Sequence, residues 1–252
     1  MDKPLIQFCN VSKTFDTKTV LNELNLSIFK GEITTIIGKS GEGKSVLLKH
    51  IIGLLKPDSG SILFSGKAFL EHSASEQLSL KKKFSYMFQD SALFDSMTVY
   101  ENIALPLQEA SKLNKAEIQQ RVKMRMTQLD IIGTEQQYPG QLSGGMRKRV
   151  ALARALVTDP EIILFDEPTT GLDPIRKEAV HQMIADYQHK LGFTGIIVSH
   201  EIPEIFSISQ RVALLNKGGI IFQGTPEQLN NNDNPVISTF IHGHDSSLLN
   251  ID

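Results

Sequence analysis

The chain has 252 residues, of which 40% are hydrophobic and 21% charged, the balance of a globular protein with a real core rather than of a disordered segment. A formal net charge of -2 supplies no positive field to recruit nucleic acid or anionic lipid. Cys9 is the only cysteine, which excludes an internal disulfide and suits a reducing, cytoplasmic setting.

From the N-terminus, residues 1–11 alternate polar and apolar side chains without the basic-then-apolar profile of a leader. Residues 5–11 and 24–29 read as strands, and 60–64 as a third that follows a Pro57-Asp58-Ser59-Gly60 turn. Four short apolar runs, 33–37, 84–88, 162–165 and 196–198, predict buried parallel strands separated by helices, hence an α/β fold. Residues 46–52 have helical character. Between 98 and 156 the pattern is mostly helical, with Ile118, Val122, Met126 and Leu129 at helical spacing, which predicts a helical subdomain inserted into the α/β core. Its methionines are read as core filling rather than as a docking surface. A further helix opens at Asp173 with Pro174 in its first turn, carries Ala179, Met183, Tyr187 and Leu191, and stops at Gly192. The polar cluster Asn230-Asn231-Asn232-Asp233-Asn234 divides a main domain, 1–234, from a C-terminal extension, 235–252. His242 and His244 in that extension read as solvated rather than metal-binding. No apolar run approaches the ~20 residues that cross a bilayer, so any membrane role is expected to come through a partner.

Gly38-Lys39-Ser40-Gly41-Glu42-Gly43-Lys44-Ser45 fits the G-x-x-x-x-G-K-[ST] phosphate loop and has the strand before it and the helix after it that the motif requires. Glycines let successive N–H groups converge on phosphate, and the following helix adds the positive end of its dipole. Lys44 is expected to reach the β- and γ-phosphates of ATP, and the Ser45 hydroxyl to bind Mg²⁺. At the end of the run 162–165 stand Asp166, a Mg²⁺ ligand by this reading, and Glu167, placed to deprotonate the attacking water. An ordinary glycine-rich turn and a solvated strand end are the alternatives, and the coupling of the two features argues against both.

Leu142-Ser143-Gly144-Gly145-Met146 resembles the signature of the ABC ATPases, with Met146 where glutamine is usual. Ser143 reads as a helix N-cap, and Gly144 and Gly145 allow an anion to approach closely. Arg147, Lys148 and Arg149 after it are read as a solvated face with intersubunit contacts. The resemblance spans about residues 5 to 230. It implies a P-loop NTPase of the ABC type, with an N-terminal antiparallel β subdomain and the inserted helical subdomain. Gln89 matches the Q-loop glutamine that touches Mg²⁺, and Gly171-Leu172-Asp173 resembles the D-loop. His200 matches the switch histidine at the γ-phosphate. Phe15 matches the aromatic that stacks on adenine, with Val20 lining the ring. A head-to-tail homodimer is implied, each ATP lying between Lys44 of one subunit and Ser143, Gly144 and Gly145 of the other.

Within this family the runs 88–99, 165–174 and 199–209 resemble the Mla-type ATPases of phospholipid transporters that work with MCE-domain proteins. That branch implies integral permease subunits, an MCE-type substrate-binding protein, a small STAS-type subunit and a place on the cytoplasmic face of a bacterial inner membrane. Leu93, Phe94 and Met97 are then expected to meet a short helix of the permease. The competing readings are an importer of a small polar solute and an ABC ATPase outside transport, and no nucleic-acid partner is expected.

Overall fold

A computed structural model describes residues 3–87, 91–110 and 112–246. Two sheets form the molecule. β1 (Ile6–Phe15) and β2 (Lys18–Ile28) make a hairpin, and β4 (Ser59–Phe64) with the short β5 (Lys67–Ala68) completes an antiparallel sheet of order β2-β1-β4-β5. The second sheet contains β3 (Ile33–Ile37), β6 (Phe84–Met87), β7 (Ile162–Asp166), β8 (Thr194–Ser199), β9 (Arg211–Asn216) and β10 (Gly219–Gly224). Its order is β10-β9-β3-β8-β7-β6, parallel throughout except for β10.

The four runs are rich in apolar residues because their strands are covered on both faces, and the polar Thr34 and Thr35 of β3 are themselves buried. Ile36, Ile162, Leu164, Ile196 and Val198 point into a core shared with the antiparallel sheet and with α1 (Lys44–Ile51). Their neighbours Ile37, Ile163, Phe165 and Ile197 point into a larger core under the helices. That larger core is closed by α3 (Val99–Ala110), α4 (Lys115–Gln128), α5 (Gly144–Leu156) and α6 (Pro174–Leu191). Ile118, Val122, Met126 and Leu129 are all buried there, as their spacing predicts. A short helix, α2 (Ala74–Lys81), lies on the surface and buries no residue. At the C-terminal end follow α7 (Pro226–Asn230) and α8 (Pro235–Ser246), and Ile237 of α8 is buried against the larger core.

Two expectations need correction. The buried face of α6 is Val180, His181, Ile184 and Tyr187; Ala179 and Leu191 are exposed, because the helix is turned by about one residue from the expected stripe. The basic triplet after the signature is a solvated face only in part: Arg147 is exposed and Arg149 partly so, but not Lys148. Lys148 is buried, Arg147 donates to the Leu142 carbonyl, and Arg149 holds the Leu129 carbonyl and Asp130. The sequence reading also misses the hairpin of β9 and β10. Its turn, Lys217 and Gly218 at φ 49 and 81, was legible as a basic residue and glycine between two apolar runs. Gly218 is required there, because a Cβ would lie 2.9 Å from the Val20 carbonyl oxygen; Asn22 N–H donates to the Gly218 carbonyl and ties the two sheets together.

Candidate active site

The C-terminal ends of β3, β7 and β8 are adjacent in the sheet, which brings the phosphate loop, the acidic pair and His200 to one edge. The loop leaves β3 at Gly38, where a Cβ would lie 2.7 Å from the Leu215 carbonyl oxygen of β9. Only glycine lets the two backbones pass that closely. Gly41 and Gly43 have φ 81 and 102, in the left-handed region that favours glycine. A Cβ on Gly43 would meet Val20 Cγ1 at 2.7 Å, so Val20 packs directly on the loop. Glu42 accepts from the Lys217 N–H at 2.7 Å and pins the loop to the β9–β10 turn, while Lys39 and Ser40 are exposed at its crest. Phe15 ends β1 and is 40% exposed, and Lys13 Nζ stands 5.5 Å from its ring centroid.

Lys44 is buried at the first position of α1, and its ammonium donates to the carbonyls of Gly38 at 2.8 Å and Lys39 at 3.1 Å. Burial pushes its pKa below the ordinary lysine value, against the opposing pull of Glu167, Glu42 and Asp166. Ser45 Oγ donates to Asp166 Oδ1 at 3.2 Å, and the Tyr86 hydroxyl of β6 donates to Asp166 Oδ2 at 2.7 Å. Burial, with the Asp166 hydrogen bond and charge, raises the Tyr86 phenol well above its ordinary value. It therefore acts as a donor that orients Asp166. A tyrosine inside an apolar run carried no signal of this in the sequence.

Glu167 stands just past β7 with φ 48, a left-handed conformation that costs a non-glycine residue about 1–3 kcal/mol. Its N–H donates to the Val198 carbonyl of β8 at 3.0 Å, and Thr170 Oγ1 donates to Oε2 at 3.1 Å. The other carboxylate oxygen, Oε1, faces His200 Nδ1 at 3.2 Å and Lys44 Nζ at 4.0 Å. The expected base, switch histidine and phosphate lysine thus converge on one oxygen.

The signature lies apart from this cluster, at the N-terminus of α5. Ser143 caps the helix, accepting from the Met146 N–H at 3.3 Å. A Cβ on Gly145 would meet nothing within 4 Å, and one on Gly144 only the Arg147 guanidinium at 3.9 Å. The chain's own packing gives no reason for glycine at either position. Among the described residues, no hydrogen bond joins residues 143–145 to the phosphate loop.

Gln89 lies outside the described residues. Beyond it, Ser91 and Ala92 have φ 65 and 43, and their carbonyls each accept from Arg154 of α5 at 2.8 Å. Phe94 is 49% exposed and Leu93 partly buried, in a loop that the fully buried Asn102 holds. Asn102 accepts from the Phe94 N–H and donates to the carbonyls of Phe94, Met97 and Thr98.

Comparison with known proteins identifies the family. The family described as "ABC transporter" matches residues 21–170. The chain is 40% identical, over 94% of its length, to the probable ribonucleotide transport ATP-binding protein mkl of Mycobacterium tuberculosis, and spans 66% of that relative's length. It is 36% identical, over 95% of its length and 89% of the relative's, to the intermembrane phospholipid transport system ATP-binding protein MlaF of Escherichia coli K12. The Haemophilus influenzae protein of that name is 37% identical over 96% of this chain and 92% of its own. Among solved structures, cbiO1 of Clostridium perfringens, part of the transporter complex cbiONQ, matches with a TM-score of 0.84 at 30% identity, covering 99% of this chain and 100% of that one. A dimeric ATP-binding cassette in a post-hydrolysis state with ADP and Pi matches with a TM-score of 0.75 at 30% identity, covering 88% and 98%.

Proposed function

The chain belongs to the ABC transporter family of ATP-binding proteins, and on that premise we propose that it hydrolyses ATP as the motor subunit of a transporter moving phospholipid between membranes. The observation that carries the hydrolytic part is the Glu167 Oε1 oxygen, set 3.2 Å from His200 Nδ1 and 4.0 Å from Lys44 Nζ. In this reading the phosphate loop and Lys44 hold the phosphates, Glu167 takes the proton of the attacking water, and His200 steadies the γ-phosphate. The Ser45 hydroxyl and the Asp166 carboxylate, together with Gln89, are hard oxygen donors suited to Mg²⁺, which when bound offsets charge on the phosphate oxygens. Phe15 and Val20 take the adenine.

The open N-terminus of α5 supports a site completed by a second copy, whose Ser143, Gly144 and Gly145 would face the γ-phosphate. Among the described residues no helix is long and apolar enough to cross a membrane, so permease subunits must carry the substrate. The exposed Phe94 in the loop held by Asn102 suits a permease helix on the cytoplasmic face of an inner membrane. MCE-type and STAS-type subunits complete the proposed assembly.

The phospholipid reading is supported by the MlaF relatives, matched over nearly their whole length, and by the runs 88–99 and 199–209. The mycobacterial relatives named for ribonucleotide transport support a second reading, uptake of a soluble nucleotide. Loss of the chain is expected to raise surface-exposed phospholipid and to sensitise the outer membrane to detergent. A deletion strain with normal lipid distribution and lost ribonucleotide uptake would reject the lipid reading in favour of the second.

A further inference from the structure

His200 follows β8 in a segment with no regular structure, so nothing in the backbone ladder fixes its place against Glu167. The next side chain does. The Glu201 side chain is 9% exposed, and both of its carboxylate oxygens are used: Oε1 meets Lys177 Nζ at 2.7 Å, and Oε2 accepts a hydrogen bond from Thr169 Oγ1. Its N–H donates to Ser199 Oγ at 3.0 Å. Lys177 stands in the first turn of α6, and its own N–H donates to the carbonyl of the N-cap, Asp173. Thr169, 1% exposed, lies two residues after Glu167, and the Leu172 N–H donates to its carbonyl. His181 of α6 lies behind it, Nε2 at 3.4 Å from Thr169 Oγ1, in a pocket whose burial holds the imidazole below its ordinary pKa.

We infer that Glu201 is a positioning residue: with Lys177 and Thr169 it locks the loop carrying His200 to the start of α6 and to the segment that leaves Glu167. A buried carboxylate left without its partners is costly, so the three groups move together or not at all. The stretch 171–173, which resembles the D-loop, joins the segment of Thr169 to the N-cap of α6. The lock therefore makes the place of His200 follow that segment. The inference rests on the proposed hydrolytic reading of Glu167 and His200.

The test uses the full chain, with ATP turnover, ATP affinity and melting temperature measured for each variant. Glu201→Gln and Lys177→Met should lower kcat by roughly 10- to 100-fold, as expected when a reacting group is displaced by an ångström or less, with KM and ATP affinity within about threefold. Thr169→Ser, which keeps the hydroxyl, should retain more of kcat than Thr169→Val. Exchanging the pair, Glu201→Lys with Lys177→Glu, should recover part of the rate lost in either single exchange. Unchanged kcat in Glu201→Gln would overturn the inference. So would a rate loss that disappears once normalised to the folded fraction, since that is all a merely structural contact would produce. His200→Ala and Glu167→Gln separate the lock from the chemistry it serves: if both keep normal turnover the hydrolytic reading itself fails, whereas their inactivity beside a fully active Glu201→Gln removes only the lock.

Discussion

The phosphate loop and the switch loop leave neighbouring parallel strands, β3 and β8, at the same edge of the sheet, yet they are held in opposite ways. The phosphate loop is fixed mainly by backbone, with the Glu42 side chain adding a tie to the β9–β10 turn. Gly38 slides past the Leu215 carbonyl, Gly43 turns at φ 102 against Val20, and even Lys44 donates to carbonyls of its own loop. The switch loop is fixed by side chains from three places in the chain, Thr169, Lys177 and Glu201. A backbone cradle restricts which residues can stand in it, so it leaves a dense local motif. A side-chain lock leaves one readable histidine and scatters the rest.

Glu167 lies between the two loops, and the largest effect is expected there. Glu167→Gln keeps the contacts that place the side chain but removes the base, so kcat should fall roughly 100- to 10,000-fold with ATP affinity retained. The measurement is single-turnover hydrolysis beside equilibrium ATP binding. Near-normal turnover would mean that the two loops do not converge on a common base.

Gly38→Ala probes the backbone side of the comparison. Its Cβ would meet a main-chain oxygen at 2.7 Å, and a strand paired in a sheet cannot yield as a side chain can. The loop should be pushed off β9 and ATP binding weakened by about 100-fold, equivalent to ~3 kcal/mol. This loss should appear in KM, whereas damage to the Glu201 lock should appear in kcat. If both lesions change the same constant, the contrast between the loops is wrong.

A smaller effect is expected at Tyr86→Phe. Asp166 would keep Ser45 but lose its second donor, and the affinity for Mn²⁺ in the presence of ATP, followed by electron paramagnetic resonance, should fall about tenfold. The variant should otherwise fold normally, since the ring stays in place. Unchanged metal affinity would show that Ser45 and the sheet already orient Asp166.

This contrast also explains what could be read in advance. The central strands were legible because strands covered on both faces must be mostly apolar, and the start and stop of α6 because Asp173, Pro174 and Gly192 each suit one cap position. The stripe on α6 was misread because His181, polar by type, belongs to its buried face, while apolar Ala179 does not. Lys148 was misread for the same reason, a charged residue beside a motif being taken for surface. At the site, Lys44, Ser45, Asp166 and Glu167 follow from local patterns and His200 from the family resemblance, and they meet in space. Tyr86, Arg154 and Glu201 act through long-range contacts, and no local spacing announces a partner 32, 62 or 80 residues away.

The two loops should also differ in how they respond to pH, and this is the smallest effect expected. Burial alone would raise the Glu201 carboxyl, but the hydrogen bonds from Lys177 and Thr169 and the charge of Lys177 outweigh it and leave the group below its ordinary value of 4.5. Below that value the unfolded chain takes up the proton more readily than the native one, so stability contributed by Glu201 is full above pH 4.5 and drains away as the pH falls through the lower, native pKa. Lys44 is also shifted down, chiefly by burial, from 10.5. There too the native state holds its proton less firmly than the unfolded chain, so its window lies on the alkaline side, where stability rises as the pH climbs toward 10.5. Subtracting variants isolates each loop. The stability gap between wild type and Glu201→Gln should narrow on acidification from about pH 6 to 3, and the gap between wild type and Lys44→Met should change only in alkali. Denaturant midpoints across both ranges measure this. An acid-insensitive gap for Glu201→Gln would mean that its carboxylate gains nothing from Lys177 and Thr169, and that the switch loop is held, like its neighbour, by backbone.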